Sequence, residues 1–587
     1  MLLISIHTDN VIVFSDYIYI KVLRRQKFIL HIYSYSTIFG KLLSLSIVAA
    51  RASLLSITRS SQKFLYIHLG HLNSLTLEVG LILDIYSSIF ILVVSIIRLS
   101  VFSFRFSYIS LQKFFSRFHT LLIVFVGSII LLILSSNLLF TIVGWDGLGV
   151  SSYLLVIYYG SNKSYNAGIL TVLSNRVGDV LLLIAIAMIV NIGSWRYAFY
   201  KETLLTDRLL LILLARGAFT KSAQIPFRAW LPAAIAAPTP VSSLVHSSTL
   251  VTAGVYLLFR HIHSLTILNR LWLITFIGVS TITLARLSAL NEKDIKKIVA
   301  LSTLSQLGLI ILSVGFGWVF ITFFHLVTHA FFKAIIFIRV GNIIHSSQLY
   351  QSMKNTGSAL YSSPFNRSTL ILARLSLCGA PFTAAFFSKE PIIEITSYNN
   401  CTFGIFLMIM FRLLLTILYS SRLIKIVLIN FLSTQSRVHV QERDYNLNKG
   451  IFILSLPSFA RGSTLLSLIN SNPAAFSYSI NLKIFIFISF LIFPTIFFIG
   501  FYPFLLIGSN QLYSIWRLGL FSGGMFNKLS FIYSFSVNMS NFSYKLRGVL
   551  SSRVVSHYTR PLMISSFYIY RLVIIIPLGI LITIIIQ

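Results

Sequence analysis

The chain has 587 residues, of which 56% are hydrophobic and only 10% are charged, and its mean hydropathy is +0.86. Soluble chains carry about a quarter charged residues, so this composition argues against a water-soluble fold. The 47 Lys and Arg outnumber the 14 Asp and Glu, giving a net charge of +33, but they are scattered between apolar segments. A nucleic-acid partner is not expected, because it would require a clustered basic face.

Long apolar segments recur along the whole chain, such as the uncharged stretch from Thr120 to Trp145. The segments are continuous and do not alternate as the strands of a membrane barrel do. At about 20 residues per span, we predict an all-α polytopic membrane protein with about 15–16 transmembrane helices. The predicted spans are 38–58, 80–103, 119–136, 138–159, 166–192, 207–225, 241–260, 269–290, 297–316, 318–346, 368–388, 403–430, 450–470, 483–508 and 569–586.

The two ends of the chain differ from the rest. Residues 1–37 form no clean span, and we expect them to be an N-terminal extension that is not native. Residues 509–568 are weakly amphipathic and aromatic, which predicts a lateral interfacial helix before a final membrane anchor at 569–587. Between the ends we predict N-terminal membrane helices at 38–118, a core at 119–430 and C-terminal membrane helices at 431–508.

Ionisable side chains inside the spans are the candidate functional residues, because a charge at the bilayer centre costs roughly 2.5–3.5 kcal/mol. Asp146 lies among glycines, where another helix can approach closely, or it is a loop carboxylate at a helix end. Arg176 and Asp179 share one helical face and favour a structural ion pair.

Two lysines adjoin predicted helix breaks. Lys221 precedes Pro226, and Lys389-Glu390 lies between Pro381 and Pro391. Broken helices beside an ionisable side chain are typical of transporter ion sites, although a lone lysine can also extend to the membrane interface. Two such segments indicate an internal repeat with paired ion sites.

Histidines complete the candidate set. His246 lies in a serine-rich segment and suits a proton relay, or it is a satisfied core histidine. His325, His329 and Lys333 recur every four residues and therefore form one stripe on a helix. No third ligand accompanies the two histidines, and Cys378 and Cys401 show no metal-binding spacing, so no metal is expected.

Several motifs resemble a known family, and they occur in its order. They are Gly144–Gly149, Ser174–Asp179, Thr220–Gln224, Trp230–Ala234, Ala237–Ser242, Asp294–Lys297, Ser302–Gly308 and His329–Ala334. Together they resemble the antiporter-like chain 5 family of mitochondrial NADH:ubiquinone oxidoreductase, respiratory complex I, over about residues 75–395. The resemblance implies an inverted-repeat core with two broken helices, a lateral helix, and proton translocation across the mitochondrial inner membrane.

The resemblance also implies roles for individual residues. Asp146 takes the place of an acidic residue, usually glutamate, that pairs with the lysine of the first broken helix, here Lys221. His246 and Lys333 correspond to central relay positions, and Lys389 to the lysine of the second broken helix. The expected relay thus runs from Asp146 and Lys221 through His246 and Lys333 to Lys389.

Partners and cofactors follow from the same resemblance. No cofactor is expected in this chain, while NADH, FMN, iron–sulfur clusters and ubiquinone are expected in partner subunits. Those partners are other membrane-arm subunits, especially neighbouring antiporter-like chains, together with the lipid bilayer. A free-standing monovalent cation/proton antiporter and a structural membrane scaffold are the alternative functions.

Five arginines depart from the family pattern, which usually has small or polar residues there, often serine. They are Arg216, Arg228, Arg286, Arg339 and Arg374. Five unpaired guanidiniums in a membrane would cost on the order of 12–17 kcal/mol, and methionine is also scarce, at 8. We hypothesise that AGA/AGG and AUA codons are translated here by a nuclear-like code, so that some native Ser reads as Arg and some Met as Ile.

Overall fold

The fold is known from a computed structural model. It describes residues 63–72, 75–109, 115–190, 208–267, 271–346, 351–353, 364–381, 383–398, 403–425, 445–459 and 462. The predicted extension 1–37, the spans 38–58, 483–508 and 569–586, and the lateral helix 509–568 lie outside the described residues. The division of the chain into regions stays a prediction.

The described chain is predominantly helical, which confirms the predicted all-α membrane class. Two strands come first, β1 (Lys63–Leu72) and β2 (Leu75–Leu83). The first helices are α1 (Ile85–Tyr108), α2 (Phe115–Leu134), α3 (Leu138–Val156), α4 (Asn162–Val190), α5 (Arg208–Lys221), α6 (Trp230–Ala233), α7 (Thr239–Leu244), α8 (Leu250–Arg260) and α9 (Ile262–Ile267). They are followed by α10 (Leu271–Asn291), α11 (Ile295–Gly315), α12 (Val319–Ser346), α13 (Pro364–Cys378), α14 (Phe386–Tyr398), α15 (Phe403–Ile424) and α16 (Tyr445–Phe459).

Within the described ranges, seven helices are long and apolar enough to cross a membrane. Among them α11 and α12 are central, since all of the most apolar stretch of each is buried inside the protein. The corresponding stretch of α4 is only 28% buried, so α4 lies at the periphery. The ionisable stripe on α12 is therefore enclosed by protein on every side.

The β-hairpin corrects the predicted span 80–103. Residues 80–83 belong to β2, which pairs antiparallel with β1 from Lys63↔Leu83 to Leu72↔Leu75, and the helix starts only at Ile85. The side-chain amide of Asn137 donates to the Glu78 carbonyl at 2.8 Å and ties the hairpin to the start of α3. The apolar composition of β2 conceals this change of structure, because a single polar residue, Asp84, separates it from the apolar helix.

Asp84 marks the true start of that helix. Its side chain accepts the Ser87 N–H at 2.8 Å in a capping box, and it also binds Arg260 at the end of α8. Burial alone would raise the pKa of the Asp84 carboxyl, but the charge and hydrogen bonds of Arg260 outweigh it, so the pKa lies below its ordinary value. This ion pair joins α1 to α8.

Two helix breaks occur near the predicted positions. Helix α5 ends at Lys221 and α6 begins only at Trp230, while α13 ends at Cys378 and α14 begins at Phe386. Gly379, directly after α13, has φ +88°, a conformation that glycine adopts without steric cost. The α7–α8 span contains a different irregularity, a π-helical turn at Val245–Thr249.

Gly254 allows α8 to pack against the end of α5. A Cβ added there would lie 2.5 Å from the Ala218 carbonyl oxygen and 2.9 Å from the Ser222 amide nitrogen. Both are backbone atoms beside the break, so neither can move without shifting the helix end.

We therefore predict that Gly254→Ala destabilises the protein by about 1–3 kcal/mol, the usual cost of overpacking. Thermal denaturation of the full-length protein in native membranes measures the change. Gly127→Ala is the matched control, because a Cβ at Gly127 would meet no atom of the described residues within 4 Å. Equal stability of the two variants would contradict the close approach of α8 and α5.

Candidate functional site

The first group of site residues is the Lys221 cluster, formed by Trp145, Asp146, Arg176, Asp179 and Lys221 on α3, α4 and α5. Lys221 is fully buried, which rules out extension to the membrane interface. Its ammonium donates to the Trp145 carbonyl and lies 3.8 Å from the centroid of the Trp145 ring. The lysine is thus held by a main-chain oxygen and an aromatic face.

Asp179 has both carboxylate oxygens engaged. The Trp145 indole N–H donates to Oδ1 at 2.9 Å, and Arg176 lies 3.3 Å from Oδ2. The predicted Arg176–Asp179 ion pair is therefore confirmed. Gly178 permits this arrangement, because a Cβ there would lie 2.1 Å from Thr220 Oγ1 and would push α4 away from α5.

The expected ion pair between Asp146 and Lys221 is not formed. Among the described residues, no carboxylate oxygen lies within 4.0 Å of Lys221 Nζ. Asp146 is half-buried, and its Oδ1 has no hydrogen-bond partner in the described part of the chain. The side chain is one methylene shorter than glutamate, and Trp145 occupies the position next to the lysine instead.

The glycines around Asp146 serve the predicted close approach of another helix, which is α2. A Cβ on Gly144 would lie 2.8 Å from the Leu132 amide nitrogen, and one on Gly147 would lie 2.9 Å from Ser128 Cβ. Asp146 thus lies within a helix and not in a loop. On the other side, it lines a cavity of about 270 Å³ together with Asn175, Arg176 and Asp179.

The second group is the Lys333 cluster, formed by Ser302, His325, His329, Lys333, Ser388 and Lys389 on α11, α12 and α14. The predicted stripe is confirmed: His325, His329 and Lys333 lie on α12 and are fully buried. The rings of His325 and His329 have centroids 6.5 Å apart. Lys333 donates to Ser302 Oγ at 2.6 Å, and His325 Nδ1 lies 2.9 Å from Ser388 Oγ.

Lys389 binds across the second helix break. Its ammonium donates to the carbonyl of Leu377, in the last turn of α13. That carbonyl belongs to a helix end, where oxygens lack an intrahelical partner. Glu390 follows on α14 and is half-buried.

The backbone of His246 forms part of the π-helical turn between α7 and α8. Its side chain is outside the described part of the structure, so its predicted place in a relay stays a prediction. Such π-helical turns occur frequently at functional sites.

The site also contains several residues that no sequence pattern indicates. Ser302 and Ser388 are buried hydroxyls that contact Lys333 and His325. Lys296 is buried and donates to the Ala237 carbonyl at 3.3 Å, and Trp145 contacts both Lys221 and Asp179. These partners are far apart in sequence, so only the packing of the helices identifies them.

Three of the unexpected arginines, Arg286, Arg339 and Arg374, lie in the core. Arg374 has no hydrogen-bond partner for any guanidinium nitrogen, and Arg286 has none for Nε or one terminal nitrogen, within the described residues. Both are essentially inaccessible to solvent. Arg339 differs, since it donates to Asn366 and stacks on Phe365. Arg286 and Arg374 therefore fit the hypothesis of native serine best.

Comparison with known proteins gives two kinds of match. A family model described as "NADH:quinone oxidoreductase/Mrp antiporter, TM" matches residues 135–416. NADH-ubiquinone oxidoreductase chain 5 of Locusta migratoria is 42% identical over 405 residues, which is 68% of this chain and 71% of the relative. The protein of the same name from Anopheles gambiae is 42% identical over 419 residues, 70% and 72% of the two chains.

Solved structures support the fold. A chain of the Mrp complex from Dietzia sp. superimposes with a TM-score of 0.69 at 21% identity, over 91% of this chain and 63% of that one. A chain of the membrane-bound sulfane sulfur reductase, an archaeal respiratory membrane complex, gives a TM-score of 0.64 at 19% identity, over 74% and 90%. At these identities the likeness concerns the fold alone.

We predict that mass spectrometry of the native protein finds serine at positions 286 and 374, because the described residues around these positions do not offer a guanidinium the partners it needs. Tryptic cleavage would then fail at both positions. Arg260 is the matched control: it is paired with Asp84 and should be cleaved as arginine. Arginine at 286 and 374 in the native protein would disprove the hypothesis.

Proposed function

The chain belongs to the NADH-ubiquinone oxidoreductase chain 5 family, and from that premise we propose that it translocates protons as a membrane subunit of respiratory complex I in the mitochondrial inner membrane. The observation that carries the proposal is a set of three buried lysines, Lys221, Lys333 and Lys389, in an apolar bundle. Electron transfer from NADH to ubiquinone takes place in partner subunits, which hold FMN and the iron–sulfur clusters.

The Lys221 cluster loads the proton. The ammonium of Lys221 is stabilised by the Trp145 ring and by the nearby negative charges of Asp179 and Asp146. Two unit charges 4 Å apart at an effective dielectric near 20 attract each other by about 4 kcal/mol, and the attraction weakens with distance. Both carboxylates lie beyond 4.0 Å from Lys221 Nζ, so each contributes less than this. A displacement of the carboxylates therefore withdraws stabilisation from the ammonium and favours release of the proton, by an energy of the same order as the about 2.3 kcal/mol that moving one charge against 100 mV costs.

The released proton passes toward His246 and then along the stripe on α12 to Lys389. Both ring nitrogens of His329, Nε2 of His325 and both amide atoms of Gln306 have no hydrogen-bond partner among the described residues. Buried polar groups of this kind are normally bonded to water. We therefore expect ordered water between these side chains, which would connect the histidines to Lys333.

The exposed residues on the outer face of α4 are an argument for a neighbouring antiporter-like subunit as partner. Arg176 lies at the middle of this long helix, and 52% of its side chain is exposed. Around it, Leu173, Val177 and Val180 are also exposed. Because a charge in lipid at this depth is costly, the face is expected to be covered by protein.

We predict that Lys221→Ala lowers the number of protons pumped per electron in the intact complex. Throughput of this chain should fall about 100-fold, the typical effect of losing a proton-transferring group. Lys297→Ala is the control, because Lys297 forms a partly exposed pair with Asp294 at 3.1 Å. Normal proton stoichiometry in assembled Lys221→Ala complex would contradict the proposal.

The two alternative functions predict different results. A free-standing antiporter would exchange Na⁺ or K⁺ for protons in purified vesicles without NADH. A structural scaffold would lose assembly in the Lys221→Ala variant and keep full pumping in whatever complex still assembles.

A further inference from the structure

Trp145 contacts both charged partners of the Lys221 cluster. Its indole N–H donates to Asp179 Oδ1 at 2.9 Å, its ring centroid lies 3.8 Å from Lys221 Nζ, and its carbonyl oxygen accepts a hydrogen bond from the same ammonium. One side chain thus lies between the carboxylate and the lysine, where the family resemblance led us to expect a direct ion pair.

From this geometry we infer that Trp145 is a positioning residue that makes the protonation of Lys221 depend on the charge of Asp179. While Asp179 is ionised, the charge-assisted hydrogen bond from the indole N–H fixes the orientation of the Trp145 ring. In that orientation its face stabilises the ammonium, and tryptophan is the best aromatic partner for a cation. When Asp179 is neutralised or withdrawn toward Arg176, the indole loses its anchor and Lys221 loses the aligned ring.

The surrounding packing allows the indole to link the charge of Asp179 to the protonation of Lys221. Trp145 is fully buried, and Gly144 next to it holds α3 tightly against α2. Gly178 next to Asp179 brings α4 just as close to α5, which carries Lys221. With α3 fixed against α2, and α4 fixed against α5, a turn of the indole is a small motion that can link the two groups.

Asp146 does not have this connection. It adjoins Trp145 in sequence, but it faces the cavity shared with Asn175 and Arg176 and has an oxygen without a hydrogen-bond partner in the described structure. The inference rests on the proposed proton translocation and assigns the coupling to Trp145 and Asp179, with Asp146 as a more distant charge.

The test is the pH profile of protons pumped per electron in the intact complex. Trp145→Phe keeps an aromatic face but removes the N–H, and Trp145→Leu removes both. We expect the alkaline limb of this profile to move to lower pH in both variants. The shift should be about one pH unit for Trp145→Phe, because one hydrogen bond to a charged group changes an equilibrium about tenfold. It should be larger for Trp145→Leu, which also loses the aromatic face. Alkaline limbs that coincide with that of the wild type would overturn the inference, even if pumping falls.

Trp230→Phe is the matched control. Trp230 is a buried tryptophan beside the same helix break, and its indole N–H donates to the Thr220 carbonyl at 2.9 Å instead of to a carboxylate. This variant should lower thermal stability without moving the alkaline limb. An equal shift in Trp230→Phe would show a general packing effect and overturn the inference.

If Trp145→Leu does not assemble, a double-mutant cycle of Trp145→Phe and Asp179→Asn still tests the inference. Asp179→Asn should shift the limb less in the Trp145→Phe background than in the wild type, because the indole no longer transmits the change. Additive shifts would overturn the inference. Failure of the proposed function is distinguishable, since it would appear as normal pumping in Lys221→Ala.

Discussion

Burying lysine in an apolar bundle is the constraint on which the rest of this structure depends. A buried ammonium needs hydrogen-bond acceptors, and a carboxylate partner would also fix its charge. The structure gives three buried lysines main-chain carbonyls instead: Lys221 binds Trp145, Lys296 binds Ala237 and Lys389 binds Leu377. A carbonyl satisfies an N–H without adding an opposing charge, which suits groups that must both take up and release a proton.

The second helix break supplies one of these acceptors directly. A continuous helix uses each carbonyl for its own ladder, whereas the last turn before a break leaves oxygens free. Leu377 is such a residue, because α13 ends at Cys378 and Gly379 turns the chain away. The interruption that is visible in the sequence as Gly379-Ala380-Pro381 is therefore also the source of the acceptor that holds Lys389.

Local patterns in the sequence were sufficient for features within one helix. The Arg176–Asp179 pair and the stripe of His325, His329 and Lys333 follow from helical spacing, and Pro and Gly indicate the two breaks. Features that depend on how helices are rotated against each other were not predictable. Asp146 and Trp145 are adjacent in sequence, and only the angle of α3 relative to α5 decides which of them meets Lys221. The hairpin is not predictable from hydropathy, because its second strand is nearly as apolar as a membrane span.

The arginine hypothesis bears on the relay as well as on stability. Arg286, Arg374 and Lys389 are the positively charged side chains whose repulsion opposes a proton on Lys333 in the described part of the chain. Guanidiniums remain protonated at any physiological pH, so two of them would repel every proton that reaches Lys333. With serine at both positions, the lysines would lie among hydroxyls such as Ser302 and Ser388. The substitution that removes two unpaired buried charges is thus the same one that leaves the Lys333 cluster free to change its charge by one proton at a time.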